Sequence, residues 1–513
     1  MTVLDAPPAL RRPDPPATTR PRRPATRAQV LALTAVLTVV QAVGASRYPG
    51  FGDDEGTYTA QAWAVRTTGS LSHYTYWYDH PPLGWLQLSG LQAVLGPLVP
   101  GGAVAEARLL VIPYAVTSAL LVALLARRLG LARPTAVAAA LLMVLSPLAL
   151  ASTRSVYLDL LGLPWLLLAF VLVLSPRRRL WEHAGAGLAF AAAVLSKETF
   201  VLALPGLLLA ARQGSTPRTR AFCTAGLLST TVLVVLAYPL LAVLKGELLP
   251  GPDTVSLWDA IVFQLVDRQS TGSALDPSSG SARTVAGWLA LDPWLLGAGV
   301  LGAPVALASR SLRVPAVTLL VLVVAGLRPG YLPQPYVLAL LPFCALVVAG
   351  GLERLVARTA QRGLAVGAVS VVVAVLVAPG WVGGLRQAAT TDTTLAQRAA
   401  IAAITTRVSR EDRLLVDDTY YVDLVEAGFA PRYGAVWFYK LDLEAGLDPS
   451  VVQRLPRGWR DLDWVVSSPV LRSSLEADPQ ALQQVRLAVE NSRVVATFGE
   501  GSQRVELRQV TGG

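Results

Sequence analysis

AGAGLAFAAAVLSKETFVLALPGLLLAA, residues 184–211, is apolar throughout except for Ser196-Lys197-Glu198-Thr199 at its middle. Arginine-rich stretches bracket it, Arg177-Arg178-Arg179 before and residues 212–220 after. Loops rich in arginine stay on the cytoplasmic side of a membrane, so a segment that begins and ends among them crosses an even number of times. Each half is roughly 14 residues, about 21 Å at helical rise and short of a ~30 Å hydrocarbon core. Two short helices meeting at a polar tip satisfy both constraints.

Working outward, apolar runs of spanning character lie at 30–45, 106–126, 135–151, 158–174, 224–244, 285–308, 314–327, 335–351 and 364–378, with further arginine-rich connections at 127–133, 310–313 and 354–362. With the short pair this makes about eleven crossings, an α-helical polytopic membrane protein with a cytoplasmic N-terminus and an outer C-terminus. The chain is 53% hydrophobic and 15% charged, with a mean hydropathy of +0.49, values that argue against a soluble globule. The net charge of +10 sits in the topology-setting loops, which argues against nucleic acid as a partner. Cys223 and Cys344 fall inside apolar runs without CxxC or Cys/His spacing, so neither a disulfide nor a zinc site is expected.

Three regions flank the spans. Residues 1–27 are rich in Pro, Arg and Thr and read as a disordered cytoplasmic tail. Within the transmembrane domain, 28–385, the outer loop 46–105 carries the acids and an aromatic stretch. The outer loop 245–283 is Ser/Gly-rich apart from an amphipathic piece at 257–266, a lid or a linker. Residues 390–513 read as an extracytoplasmic α/β domain, with a helix at 394–408 and strands at 413–416, 464–467, 493–498 and 504–507, the last two joined by Gly499-Glu500-Gly501.

Polar residues at the outer junctions are the candidates for chemistry. Asp53, Asp54 and Glu55 precede an amphipathic stretch; they cap a helix, and the same turn can present a carboxylate to a cavity. His80 is held near the membrane surface by Pro81-Pro82, in a stretch whose tyrosines and tryptophans also suit an interfacial aromatic belt. Arg154, Asp159, Lys197 and Glu198 sit at membrane depth, where charges are costly unless paired or facing a wet cavity; structural Arg154–Asp159 and Lys197–Glu198 pairs are the alternative. Arg328, Tyr331 and Tyr336 bracket a third, proline-rich junction. No cofactor is specified, and a divalent metal on His73, His80 and the acids is not favoured because tight ligand spacing is missing.

A cavity with one carboxylate and several cations suits transfer of a sugar from a lipid-linked phosphate. A single Asp can take the acceptor hydroxyl's proton, the departing phosphate needs positive charge more than a proton, and attack from the far side inverts the anomeric centre.

The order Asp54-Glu55 with Tyr58, then Asp79-His80-Pro81-Pro82-Leu83-Gly84-Trp85, Ala107-Arg108-Leu109, Leu195-Ser196-Lys197-Glu198-Thr199 and Tyr336-Val337-Leu338 resembles the GT-C glycosyltransferases of the protein O-mannosyltransferase and aminoarabinose transferase type. The resemblance covers the chain to about residue 378. It implies the GT-C fold, a polyprenyl-phosphate sugar donor, inversion, Asp54 as catalytic base, and Lys197 and Arg154 near the donor phosphate. The chain departs from that pattern at His80, where many relatives carry lysine, and at Gln334-Pro335, where arginine often precedes the tyrosine. The expected enzyme is a plasma-membrane hexosyl- or pentosyltransferase whose acceptor is a glycan, lipid or protein. A multi-span transporter or lipid-linked sugar flippase is the rival, disfavoured because the polar residues gather at outer junctions rather than mid-bilayer.

Overall fold

The computed structural model describes residues 27–251, 255–442, 448–477 and 479–511; all of the expected N-terminal tail except Arg27 lies outside them. Helix α1 (Arg27–Ala42) leads into the loop 46–105, which is itself helical: α2 (Asp53–Thr68) and α3 (Leu83–Leu95) flank the aromatic stretch. Then follow α4 (Ala103–Arg128), α5 (Arg133–Leu145), α6 (Pro147–Arg154), α7 (Leu158–Val173), α8 (Leu180–Ser196), α9 (Leu204–Gly214), α10 (Arg220–Val235) and α11 (Ala237–Lys245).

The deciding stretch behaves as its composition demands. α8 stops at Ser196, Lys197 is extended (φ −153°, ψ 113°), and a 3₁₀ segment, Glu198–Ala203, precedes α9. Apolar helices pack here through small residues, because lipid tails are as apolar as leucine and close backbone approach supplies the attraction. A Cβ on Gly187 would stand 2.4 Å from the Leu227 carbonyl oxygen of α10, and one on Gly206 would stand 1.9 Å from Thr318 Oγ1.

Beyond the loop 245–283, with its short α12 (Leu257–Val262), come α13 (Gly280–Leu291), α14 (Pro293–Ala306), α15 (Arg313–Leu327), α16 (Val337–Arg358), α17 (Arg362–Val372) and α18 (Ala378–Thr390). Among the described residues four helical stretches are long and apolar enough to cross a membrane: Ala103–Arg128, Arg220–Lys245, Gln334–Arg358 and Arg362–Arg407. The number is six if two bent pairs each count as one span, α5–α6 bent by 65° and α13–α14 by 112°. Both bends fall before a proline at the first helical position, where the ring ends the preceding hydrogen-bond ladder. They are also joined, since Ser146 Oγ donates to Asp292 Oδ2 at 2.5 Å.

The C-terminal part opens with α19 (Leu395–Arg407) and builds a five-stranded sheet in the order β2-β1-β3-β5-β4 from β1 (Leu414–Val416), β2 (Ala435–Trp437), β3 (Trp464–Ser467), β4 (Ser492–Phe498) and β5 (Val505–Val510). β1 pairs in parallel with β2 and β3, while β5 is antiparallel to β3 and β4. The parallel β1–β2 pair is made by the crossover helix α20 (Asp418–Glu426). β2 is the strand that the sequence reading lacks: three residues between loops are too short to show alternation.

α2 packs on α20, and a Cβ on Gly56 would come within 2.3 Å of the Asp418 backbone. His73 Nε2 meets both Asp418 oxygens at 3.1 Å, and Thr75 N donates to Asp448 at 3.0 Å. The aromatic stretch is therefore not a belt at the lipid surface. Tyr74 is buried against the sheet, and Tyr76 and Tyr78 are buried within the helical body, because their hydroxyls find internal partners that lipid would not supply.

Candidate active site

Asp53, Asp54 and Glu55 form the first turn of α2, where carboxylates meet the positive end of the helix dipole. Their side chains part ways. Glu55 is fully buried and accepts from Arg108 Nε (2.7 Å), Arg108 Nη2 (2.5 Å), Val156 N (2.9 Å) and Gly52 N (3.1 Å). Arg108 also donates to the carbonyls of Pro49 and Gly50. Glu55 thus ties the turn to α4 and to the start of α7, and its oxygens are occupied within the chain.

Asp54 is open to solvent, and the space between it and Lys197, His80 and Arg268, which act on its carboxyl, forms the vestibule. Burial raises the Asp54 carboxyl above the usual range, opposed by neighbouring Lys197, His80 and Arg268. Asp53 faces the other way, toward Asp417, Asp418 and Trp437 of the C-terminal part, and is raised well above the usual range by burial and by those acids.

Opposite Asp54 lies the tip between α8 and α9. Lys197 Nζ is 2.9 Å from His80 Nε2, and His80 Nδ1 is 3.0 Å from Glu198 Oε2. The ammonium is also 3.3 Å from His80 Nδ1, so it sits against the ring while Glu198 anchors Nδ1. With both ring nitrogens engaged, His80 acts as a strut holding Lys197, and Tyr76 Oη donates to its carbonyl at 2.7 Å. The Lys197 and Glu198 side chains approach to 3.8 Å. Asp159, in the first turn of α7, is buried beside Lys197, Glu198 and His80, and its Oδ1 has no partner among the described residues. Tyr58 stands one turn beyond Asp54, its ring 6.3 Å from that of His80.

Three sequence candidates lie elsewhere. Arg154 is buried and donates to the carbonyls of Ala388 (3.0 Å), Val40 (2.8 Å) and Val43 (2.6 Å), so it caps the C-terminal ends of α1 and α18; Asp159 is not its partner. Tyr336 Oη donates to the Leu322 carbonyl at 2.8 Å and closes an apolar crevice of about 280 Å³ between α13, α14, α15 and α16. Arg328 is exposed beside Gly330.

The vestibule gains residues that the sequence reading passed over. Arg268 stacks 3.7 Å over the Tyr331 ring, is fixed by Gln264 Oε1 at 2.6 Å, and turns its charge on Asp54. Tyr439, from the C-terminal part, is raised above the usual phenol range chiefly by burial, with Asp53, Tyr331 and Asp54 adding to it. The signal for Arg268 was its place at the end of the amphipathic 257–266 piece. A second cavity, about 720 Å³, adjoins the acidic turn through Gly52 and Tyr157 and is walled by Tyr48, Ser155, Arg283 and Trp288. Among the described residues no three His, Cys, Asp or Glu side chains converge as a metal-ligand set.

Residues 79–242, which include His80, Asp159, Lys197 and Glu198, match the family described as dolichyl-phosphate-mannose-protein mannosyltransferase. No curated protein matches the chain by sequence. Among solved structures the chain is similar to ArnT from Cupriavidus metallidurans bound to undecaprenyl phosphate, with TM-score 0.60 and 17% identity over 95% of this chain and 99% of that one. It is also similar to the Archaeoglobus fulgidus oligosaccharyltransferase in the apo form, with TM-score 0.53 and 12% identity over 95% and 77%. A third likeness is to the archaeal oligosaccharyltransferase AglB from Archaeoglobus fulgidus in complex with an inhibitory peptide and a dolichol-phosphate, with TM-score 0.50 and 12% identity over 93% and 74%. The shared architecture shows that the chain has the same fold as these membrane proteins, and the matched segment places its likeness to the mannosyltransferase family within residues 79–242.

Proposed function

We propose that the chain is an inverting glycosyltransferase that takes a sugar from a polyprenyl-phosphate donor and delivers it to an acceptor hydroxyl on the outer face of the plasma membrane. The observation that carries this reading is the pairing, across one vestibule, of the Asp54 carboxylate with the cations Lys197 and Arg268, which come from different parts of the chain. A base and a phosphate site facing each other is what displacement at an anomeric carbon requires.

In this reading Asp54 removes the acceptor proton as the hydroxyl attacks the anomeric carbon. The bond to the donor phosphate breaks on the opposite side, and Lys197 and Arg268 stabilise the charge that grows there. Glu55 and His80 act as positioning residues, the first for the turn that bears Asp54, the second for Lys197. The 720 Å³ cavity offers the acceptor an approach to the same turn. An orientation with eleven crossings puts the vestibule and the C-terminal part outside. The similar structures that hold undecaprenyl phosphate or dolichol-phosphate support a lipid-linked donor.

The test is the Asp54→Asn enzyme in membranes with normal protein levels. Transfer from a polyprenyl-phosphate sugar is expected to fall by a factor of about 10²–10⁴; transfer at the wild-type rate removes the base assignment.

A further inference from the structure

At the far end of α4 from the acidic turn, Arg127, Arg128, Arg178, Arg310 and Arg354 line one cavity of about 930 Å³. Arg108 and Arg128 are twenty residues apart on the same helix, about 30 Å at helical rise, so this cavity opens at the opposite membrane face from the vestibule. Its arginines come from the end of α4, the turn after α7, the α14–α15 loop and α16.

Topology alone accounts for arginines in these loops, but not for their convergence on one space. Like charges so gathered repel unless an anion answers them. Among the described residues Arg128, Arg178, Arg310 and Arg354 form no ion pair with an acid. The carboxylate of Glu182 is close by on α8, but it is held by Ser175 Oγ (2.5 Å) and Arg179 N (3.0 Å). Arg128 Nε and Arg354 Nε are buried and lack an acceptor, a defect that an anionic oxygen would repair. Arg354 Nη2 is steadied by Ser311 Oγ at 2.5 Å, which leaves its guanidinium fork oriented.

The rest of the lining is mixed: Leu124, Leu129 and Leu174 supply apolar surface beside Ser175, Gln213 and Ser311, and Leu124 is 40% exposed. Cations beside exposed leucine surface match a molecule with a phosphate head and an acyl tail. Guanidinium forks take phosphate oxygens in pairs, and basic pockets between spanning helices at the cytoplasmic edge suit anionic lipid heads. We infer that this cavity is a binding site for the phosphate headgroup of an anionic phospholipid in the leaflet opposite the catalytic vestibule.

The test uses the full chain in mild detergent, titrated with phosphatidylglycerol or phosphatidylcholine and read by native mass spectrometry. Wild type should retain phosphatidylglycerol at low ratio and phosphatidylcholine poorly. Arg178→Gln with Arg310→Gln, both at exposed loop positions, should weaken phosphatidylglycerol retention by about tenfold or more, and Arg178→Lys with Arg310→Lys should restore part of it. Equal retention of the two lipids, or undiminished phosphatidylglycerol on the double glutamine variant, overturns the inference. So does inorganic phosphate that binds the lipid-free protein and displaces the lipid, since the site would then serve a soluble anion.

Discussion

Asp54 and Glu55 are neighbours, yet α2's geometry gives them different work. A helix turns about 100° per residue, so one carboxylate faces the vestibule and the other faces α4. Glu55 then meets Arg108 in full burial, a pair whose rupture leaves an uncompensated charge and costs ~3–5 kcal/mol. Asp54 keeps water access and so can exchange a proton. Its carboxyl is raised by burial and lowered by Lys197, His80 and Arg268, which sets the direction of a pH test. A base must be ionised, so activity should climb with pH through an apparent pKa above the usual carboxylate range. Removing Arg268 takes away a charge that favours the ionised form. Arg268→Gln is therefore expected to move the acid limb of the kcat/KM profile to higher pH and to lower the plateau. A limb that stays put or moves to lower pH would show that Arg268 does not act on Asp54. Of this constellation Lys197, Glu198 and Asp159 were legible in the sequence because a charge within an apolar run announces itself, and Asp54 and His80 through the acidic turn and the Asp79-His80-Pro81-Pro82 motif that carry the family resemblance. Arg268 and Tyr439 were not; in polar loops they look like any solvated side chain, and only the folding of 245–283 and of the C-terminal part over the vestibule brings them in.

The elements that matter most are short or broken ones. The break at Lys197 was readable from charge placed between two half-length apolar runs, and the α9 and α10 boundaries followed from the arginines around them. The aromatic stretch was harder. Tyrosine and tryptophan near a membrane suit a lipid interface by composition, and what decides otherwise is the docking of His73, Tyr74 and Thr75 into a sheet whose strand β2 is too short to read. That docking is what seats α2. Gly56 is the contact point, two residues beyond Asp54, where a Cβ would meet the Asp418 carbonyl carbon and the Thr419 nitrogen at 2.3 Å. Backbone cannot yield as a side-chain tip does, so Gly56→Ala must push α2 away from α20. A displacement of about 1 Å at a catalytic group costs up to ~10²-fold in rate. Transfer is expected to drop by at least about tenfold in kcat, with the protein still extractable from membranes as a folded species. Full activity in this variant would mean that the α2–α20 contact does not hold Asp54 in place.

At the scale of the whole molecule, α4 orders everything else: one end anchors the acidic turn through Arg108, and the other delivers Arg127 and Arg128 to the cationic cavity. The two sites then lie on opposite membrane faces, and the orientation of one determines that of the other. Four helical stretches, or six with the bent pairs, meet the length and hydropathy of a span; α7, α8 and α9 fall short singly, which is why a count from the sequence had to lean on the arginines. Labelling settles the orientation cleanly here, because both native cysteines, Cys223 and Cys344, are buried at 1% and 0% exposure and give little background. Two exposed positions report on the two sides: Ser502, in the connection between β4 and β5, and Gln361, just before α17. In intact cells a membrane-impermeant maleimide is expected to modify Ser502→Cys and to spare Gln361→Cys until the membrane is opened. The reverse pattern would put the vestibule on the cytoplasmic side and withdraw an outer-face acceptor. Labelling of both in intact cells would mean an even number of crossings between them, which is incompatible with an α17 that traverses the membrane.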